Sequence, residues 1–315
     1  MAASSGSVPP AVPAPEGAAG DRKLRDAFAL VKPGITALIC LVAVGGFLLA
    51  DPRSIDFGRL GLLVGTGALS SAGAAALNHY LDRDLDAEMR RTRGRPLPSG
   101  RIRPSGAVAA FGLVLLGFGV GAASVLLNPL TGFSIFLGGL TYVVVYTAWL
   151  KRRSSWNIVI GGFAGSAPAL AGSAAAIGSW TPGVLAFALL VFRWTPPHFW
   201  SLALLLKDDY ARAQLPMLPR MDDLAFSGKV VVLSAALLVP ATVLLGWSGA
   251  VTWPVLLVLV VLGVLFVALT APLWRHVTPR TARRGFVYSG PYLLLVVLAI
   301  AANAPLVLRG VPAGL

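Results

Sequence analysis

Acidic side chains are concentrated in two short stretches of this 315-residue chain. Eight of its 13 acidic residues lie there: Asp82, Asp84, Asp86 and Glu88 in the first stretch, and Asp208, Asp209, Asp222 and Asp223 in the second. Between Glu88 and Asp208 there is no acidic residue. Clustered carboxylates either bind a hard cation such as Mg²⁺ or are the charges of a solvated loop. Their spacing helps to separate these two interpretations.

The first acidic stretch has the spacing of one helix face. If a helix continues through it, Asn78, Asp82 and Asp86 share a face at positions i, i+4 and i+8, and Asp84 falls on the opposite face. Mg²⁺ takes oxygen ligands and usually keeps positions open for water and for the phosphate oxygens of a substrate. We therefore predict a metal site at Asn78, Asp82 and Asp86, and a solvated Asp84.

A basic stretch rich in proline and glycine follows directly, over residues 90–100 (RRTRGRPLPSG). Arginine side chains bind phosphate oxygens in a bidentate manner and neutralise charge that develops on a leaving group. The acidic and basic stretches together indicate a site for a metal ion and a phosphate group. The sequence contains no glycine-rich loop of the Walker type, so it does not predict nucleotide hydrolysis.

Both acidic stretches lie between apolar segments that are long enough to cross a membrane. The chain is 56% apolar and only 12% charged, whereas soluble domains carry about 25% charged residues. A membrane-spanning helix needs about 20 mostly apolar residues, and nine segments of this kind predict an all-α membrane protein. The predicted spans are approximately 30–50, 58–80, 106–127, 130–150, 157–177, 181–206, 229–248, 252–272 and 286–308.

Basic residues fall mainly on one side of these spans. Of the 26 basic residues, 22 lie on the same side as the N-terminus, so the positive-inside rule predicts a cytoplasmic N-terminus and a C-terminus outside. Membrane orientation thus explains the net charge of +13, and we expect no nucleic-acid binding. Residues 1–26, rich in Ala, Pro, Ser and Gly, predict a disordered cytosolic tail before a membrane domain at 27–315.

The stretch 78–100 (NHYLDRDLDAEMRRTRGRPLPSG) resembles the first Asp-rich motif of the UbiA-type intramembrane prenyltransferases. Three further stretches, at 146–162, 193–200 and 207–219, are similar to the branch of that family that farnesylates protohaem IX. The resemblance extends over about residues 25–308. It implies nine helices around a central intramembrane cavity, with a diphosphate site at the cytoplasmic mouth.

This resemblance implies that farnesyl diphosphate and haem B are the substrates and that haem O is the product. It implies a Mg²⁺ cofactor on Asn78, Asp82 and Asp86, with Asp209 and Asp208 as a second contribution. The implied catalytic residues are Asp82, Asp86, Tyr146 and Lys151. The implied diphosphate ligands are Lys32, Arg91, Arg95, Lys151, Arg152 and Lys207. The resemblance also implies a multi-pass protein of the plasma membrane and handover of product to a haem A synthase or terminal oxidase assembly.

Several side chains keep two interpretations at this stage. Tyr146 either shields an allylic cation or is an interfacial aromatic. Arg193 lies inside a span, so we expect it to face the cavity with an anionic partner such as a haem propionate. His198 either approaches the haem iron or a propionate, or bonds a carbonyl freed by Pro196 and Pro197.

Two other functions remain open from the sequence. A related prenyltransferase with a quinone or chlorophyll-like acceptor would have the same metal site and a different acceptor pocket. A transporter would place ionisable groups near the membrane midplane, often in broken helices. The acidic residues here gather at one face instead, which favours an enzyme.

Overall fold

The computed structural model describes residues 16–216, 218 and 223–313, and within these ranges the regular secondary structure is helical apart from one isolated bridge between Thr252 and Ala313. The α-helices are α1 Glu16–Val31, α2 Pro33–Ala50, α3 Phe57–Leu81, α4 Arg83–Glu88, α5 Ser105–Leu126, α6 Pro129–Leu140, α7 Asn157–Gly161, α8 Phe163–Ile177, α9 Pro182–Leu205, α10 Lys207–Arg212, α11 Leu224–Ala236, α12 Leu238–Trp247, α13 Trp253–Thr270 and α14 Pro279–Leu308. A π-helical segment, Thr141–Trp149, continues α6, and short 3₁₀ turns cover Leu150–Arg152 and Ala271–Trp274.

Eight helical segments in the described part of the chain are long and apolar enough to cross a membrane. The predicted all-α membrane architecture is therefore confirmed. The sixth predicted span is the 24-residue helix α9, which is not among these eight. It carries Arg193, Pro196, Pro197 and His198, which lower its apolar character. The exact number of nine spans is thus not confirmed by apolarity.

Two boundaries differ from the sequence-based prediction. Helix α1 begins at Glu16, so the described residues 16–26 of the expected disordered tail are helical, while residues 1–15 lie outside the described chain. Helix α14 begins at Pro279 rather than near 286, because Thr278 and Thr281 form a reciprocal cap at its N-terminus. Its first turns are basic and extend beyond the apolar segment.

The break between α1 and α2 directs Lys32 towards α3. Lys32 has a left-handed backbone with φ 45° and ψ 64°, which is unfavourable for a residue with a Cβ atom. Pro33 follows it and disfavours the right-handed helical conformation at the preceding residue. The local sequence therefore ends α1 at this point, and the ammonium group reaches the end of α3.

Close helix packing surrounds an apolar cavity of about 270 Å³ between α2, α3, α6, α8 and α9. At Gly46 of α2, an added Cβ would lie 2.1 Å from the carbonyl oxygen of Ala169 on α8, so only glycine permits this approach. Along α3, the lining runs from Ala75 to Leu63. The expected central cavity is therefore present, and the acidic stretch lies where α3 ends.

Candidate functional site

Asn78, Asp82 and Asp86 share one buried face at the end of α3. The backbone N–H of Asp82 donates to the Asn78 carbonyl at 2.9 Å, and that of Asp86 donates to the Asp82 carbonyl at 2.7 Å. These bonds bridge the short break between α3 and α4 and preserve the helical spacing. All three residues are buried, whereas the Asp84 side chain is 61% exposed. The predicted face and the solvated Asp84 are both present.

Asp82 has one carboxylate oxygen bound and one oxygen without a described partner. Lys151 Nζ lies 2.6 Å from Asp82 Oδ2, and Asn78 Nδ2 donates to the same oxygen at 2.7 Å. Asp82 Oδ1 is buried with no hydrogen-bond partner among the described residues. A buried carboxylate oxygen without a partner is unfavourable unless a cation or donor reaches it. The arrangement therefore has an open position for a positively charged ligand.

Two more cations contact the same buried face. Arg95 Nη1 donates to Asp86 Oδ2 at 2.7 Å. Lys32 Nζ donates to Asn78 Oδ1 and, at 3.3 Å, to the hydroxyl of Tyr142. The structure thus gathers Lys32, Arg95 and Lys151, three of the predicted diphosphate ligands, around the two carboxylates. Arg95 and Lys151 thus match the two carboxylates, and Lys32 adds a third basic group that suits an anionic ligand.

Arg152 does not join this cluster. Its guanidinium donates to both carboxylate oxygens of Asp84, at 2.6 and 2.7 Å, and to the carbonyl of Leu81 at 2.8 Å. The hydrogen bond from Arg152 lowers the pKa of Asp84 to about 2. The prediction that Arg152 binds diphosphate therefore does not match its position, because Asp84 draws it to the exposed face of the helix.

The second acidic stretch is hydrogen-bonded to the basic loop through Asp209. Its carboxylate accepts the backbone N–H groups of Arg90 and Arg91 at 3.3 and 3.4 Å and also bonds Arg212. Burial raises the pKa of Asp209, but the hydrogen bonds from Arg212 and from these backbone groups outweigh burial and hold it below its usual value. Asp209 thus ties the second acidic stretch to the basic loop that follows the first one.

The structure does not gather Asp208 and Asp209 with the first pair of acids. In the described part of the chain no three His, Cys, Asp or Glu side chains converge as in a metal site. Asp208 is exposed, and Asp222 lies outside the described residues. Asp209 instead bonds Arg212 and the loop backbone, and a metal-binding role for Asp208 and Asp209 stays a prediction.

The two remaining predicted diphosphate ligands, Arg91 and Lys207, are not fully buried. Arg91 is exposed and Lys207 is half-buried. Burial raises the pKa of Tyr210, and the nearby positive charge of Arg91 opposes that rise. Arg91 is therefore near Tyr210, although its guanidinium has no hydrogen bond among the described residues.

Sequence reasoning missed two residues of the π-helical segment. Thr147 Oγ1 accepts from Asn78 Nδ2 at 3.0 Å and itself donates to the carbonyl of Tyr142 at 2.8 Å. Tyr142 stacks on Tyr146 with ring centroids 6.1 Å apart, and both rings line the cavity. Their four-residue spacing was the available signal. π-helical turns occur often at functional sites, and this one turns aromatic rings towards the acidic face.

The structure does not place Arg193 on the cavity wall. Trp194, Thr195 and His198 line the cavity, but Arg193 does not, and it has no hydrogen-bond or ion-pair partner among the described residues. Adjacent helical residues differ in direction by about 100°, so the face that turns Trp194 inward turns Arg193 away. His198 lies on the cavity wall, and its Nδ1 is 2.5 Å from Ser289 Oγ rather than at a freed carbonyl.

The donors at the acidic face fit a divalent cation. They comprise the carboxylates of Asp82 and Asp86 and the amide oxygen of Asn78, which are hard oxygen ligands of the kind that Mg²⁺ prefers. The unpartnered Asp82 Oδ1 is the strongest single indication. The neighbouring ammonium and guanidinium groups suit the phosphate oxygens that complete the shell of such an ion.

Comparisons with known proteins identify the family of this chain. The profile of the UbiA prenyltransferase family matches residues 38–303. A protein named protoheme IX farnesyltransferase from Sulfurisphaera tokodaii is 39% identical, over 89% of this chain and 93% of its own length. One of the same name from Methylococcus capsulatus is 40% identical, over 92% of this chain and 97% of its own length.

Solved structures share the fold. A structure of digeranylgeranylglyceryl phosphate synthase has a TM-score of 0.73 at 19% identity, covering 90% of this chain and 99% of that one. A UbiA homologue from Archaeoglobus fulgidus, bound to DMAPP and Mg²⁺, has a TM-score of 0.64 at 15% identity, covering 88% and 99%. With the profile match over most of its length, this chain belongs to the UbiA prenyltransferase family.

Proposed function

We propose that this protein transfers the farnesyl group of farnesyl diphosphate to a vinyl group of haem B, giving haem O and diphosphate. The observation that carries the proposal is the set of paired acids and cations at the mouth of an apolar cavity. Relatives at about 40% identity that bear the name protoheme IX farnesyltransferase support the choice of haem as acceptor.

The charged end of the site would bind the diphosphate together with Mg²⁺. Asp82, Asp86 and Asn78 would hold the ion, which supplies positive charge against the diphosphate oxygens. Lys151 and Lys32 lie beside these ligands and add charge in a buried setting, where electrostatic stabilisation is strongest. Asp209 supports the site by holding the backbone of the basic loop in place.

The reaction then needs charge stabilisation and exclusion of water. The C1–O bond of farnesyl diphosphate breaks, and its electron pair leaves with the diphosphate, where Lys151, Lys32 and Arg95 oppose the growing negative charge. The allylic cation lies in the apolar cavity beside Tyr142 and Tyr146, whose ring faces stabilise it. The vinyl group attacks the cation, and water adds to the resulting carbocation with loss of a proton.

The membrane orientation supports this chemistry. The chain is a multi-pass membrane protein, and we propose the plasma membrane, with the N-terminus in the cytoplasm and the C-terminus outside. Most basic residues then face the cytoplasm. The acidic face at the end of α3 lies on the same side, so the soluble diphosphate leaves into the cytoplasm. The farnesylated haem is apolar and stays in the membrane for handover to a haem A synthase or to terminal oxidase assembly.

Product analysis tests the proposal directly. Purified protein in detergent is incubated with haem B, farnesyl diphosphate and Mg²⁺, and the extracted haem is analysed by mass spectrometry. We expect a mass gain of one farnesyl group plus one water, lost on addition of EDTA and restored by excess Mg²⁺. Unmodified haem together with prenylation of an added quinone would reject the haem acceptor and leave the prenyltransferase chemistry. Product formation that resists EDTA would reject the metal site.

A further inference from the structure

His198 is the imidazole that lines the cavity, and the acidic face makes no use of it. It lies on α9, in the sixth span predicted from the sequence, where an ionisable side chain is costly unless it has a function or a partner. Its Nδ1 lies 2.5 Å from the hydroxyl of Ser289 on α14, 91 residues further along the chain. A side chain held in this way across two helices is positioned by the tertiary structure.

The hydrogen bonds around Ser289 decide which nitrogen of His198 carries the proton. Ser289 Oγ donates to the carbonyl of Phe286 at 2.6 Å. A serine hydroxyl has one hydrogen, so Ser289 must accept from His198, and Nδ1 is the protonated nitrogen. The lone pair is then on Nε2, which has no hydrogen-bond partner among the described residues. The Nε2 edge of the ring can therefore bind a ligand in the cavity.

Aromatic neighbours fix the orientation of the ring. His198 stacks on Trp194 with centroids 4.4 Å apart, and Phe286 lies 5.4 Å away in a tilted arrangement. Trp194 Nε1 in turn donates to the backbone carbonyl of Ser289 at 2.9 Å. The ring is therefore held by Ser289 at one nitrogen and by packing against both aromatic residues. A neutral imidazole with one nitrogen anchored and the other free is the usual form of a metal-ligating histidine.

Other side chains in the cavity do not offer an equivalent ligand. Cys40 is directed to the carbonyl of Val64, with its sulfur 3.8 Å from that oxygen. His79 is buried against α1, where its Nε2 contacts the Ala29 carbonyl at 3.1 Å, and it does not line the cavity. Within the described residues, His198 Nε2 is thus the nitrogen lone pair available to an iron atom in this cavity.

We propose that His198 Nε2 ligates the iron of the haem substrate and that Ser289 is the positioning residue that fixes the required tautomer. This inference rests on the proposed function. An axial imidazole defines the position of the iron and the plane of the porphyrin. A porphyrin held in this way can still rotate about the iron–nitrogen bond, and this rotation brings a vinyl group towards the allylic cation beside Tyr146 without moving the iron. Arg193 has no part in this arrangement, because it faces away from the cavity.

Haem spectroscopy tests the proposal without relying on turnover. The purified protein is titrated with ferric haem and followed by visible absorption, electron paramagnetic resonance and resonance Raman spectroscopy. We expect an imidazole–iron signature in the unmodified protein, its loss in His198→Ala, and its return when free imidazole is added. His276→Ala is the matched control, since His276 is exposed in the connection between α13 and α14, and it should leave the signature unchanged.

Two further variants test the proposal independently of how well His198→Ala folds. His198→Met replaces nitrogen with a thioether sulfur, which also ligates haem iron, so the spectrum should change in ligand type even if His198→Ala folds poorly. Ser289→Ala keeps the imidazole but removes the acceptor for Nδ1–H, and we expect about a 10- to 100-fold loss of haem affinity. A structural role alone would change thermal stability without changing the iron spectrum.

The outcomes separate this inference from the proposed function. An unchanged iron spectrum in both His198→Ala and His198→Met would overturn the ligand assignment. If the unmodified protein still converts haem B to the farnesylated product in that case, the proposed function stands and only this inference fails. If the unmodified protein neither binds haem nor modifies it, both are rejected.

Discussion

Neutralising Asp82 tests the acidic face most sharply, because Asp84 two residues away is a matched control. Asp82 is 1% exposed and accepts from Lys151 and Asn78. The Asp84 side chain is 61% exposed and bonds Arg152 on the opposite face. Asp82→Asn and Asp84→Asn make the same chemical change in the same short segment. They differ in which face of the helix loses a charge and in how deeply that charge is buried.

The two variants should differ widely in turnover. Removing one preorganised electrostatic contact to the developing charge costs about 2.7–4 kcal/mol, which corresponds to roughly a 10²- to 10³-fold loss of kcat. Breaking a buried ion pair also costs about 3–5 kcal/mol of stability when one partner is left charged, so Asp82→Asn should unfold more easily. The exposed pair of Asp84 contributes about 0–1 kcal/mol, and we expect less than about a threefold change in kcat for Asp84→Asn.

The assay must separate folding from chemistry. Each variant is purified in detergent, its monodispersity is checked by size-exclusion chromatography, and its unfolding temperature is measured. Initial rates of haem farnesylation are then taken at saturating farnesyl diphosphate over a Mg²⁺ titration. If the folded Asp82→Asn protein keeps turnover within threefold of the unmodified protein, or if Asp84→Asn loses as much as Asp82→Asn, the reasoning from the helix face is refuted.

Three further predictions concern Lys32, Asp209 and the cavity residue Leu63. Lys32→Gln should raise the KM for farnesyl diphosphate about tenfold, equivalent to about 1.4 kcal/mol, since it removes a basic group that bonds Asn78; an unchanged KM in steady-state kinetics would contradict this. The folded-state pKa of Asp209 lies below its ordinary 3.8, so its stabilisation is present above about pH 4 and is lost as the pH falls through the lower folded value. Asp209→Asn should therefore lower the unfolding temperature near neutral pH and flatten its fall in acid, and an identical pH profile would reject the assignment. Leu63 is the lining residue of α3 farthest from the acidic face, about 22 Å from Asn78 along the helix. Leu63→Ala should raise the ratio of kcat/KM for geranylgeranyl over farnesyl diphosphate, and an unaltered ratio would show that the cavity does not end there.

Local spacing predicted the parts of the site that lie within one helix. Asn78, Asp82 and Asp86 are four residues apart, and helical hydrogen bonds continue across the break at Asp82, so their common face followed from the sequence. The same spacing placed Asp84 outside. Apolar segments predicted most span boundaries to within a few residues, because burial in lipid requires a minimum helix length.

Long-range partners could not be predicted from spacing. Lys32 meets Asn78 from 46 residues away, and Asp209 meets the backbone of Arg90 from 119 residues away. Arg152 follows Lys151 directly, yet it binds Asp84 while Lys151 binds Asp82. The sequence could not separate these neighbours, because the 3₁₀ turn that contains both residues determines which side each one faces.

The sequence alone determined the membrane architecture, the acidic face with its basic loop, and the family resemblance. These properties depend on composition and on contacts between residues a few positions apart, and both can be read along the chain. The tertiary structure decided that Arg193 faces away from the cavity, that Ser289 fixes the tautomer of His198, and that Asp82 keeps one carboxylate oxygen open. The physical reason is that side-chain direction and hydrogen-bond satisfaction depend on how separate helices pack, which no local pattern specifies.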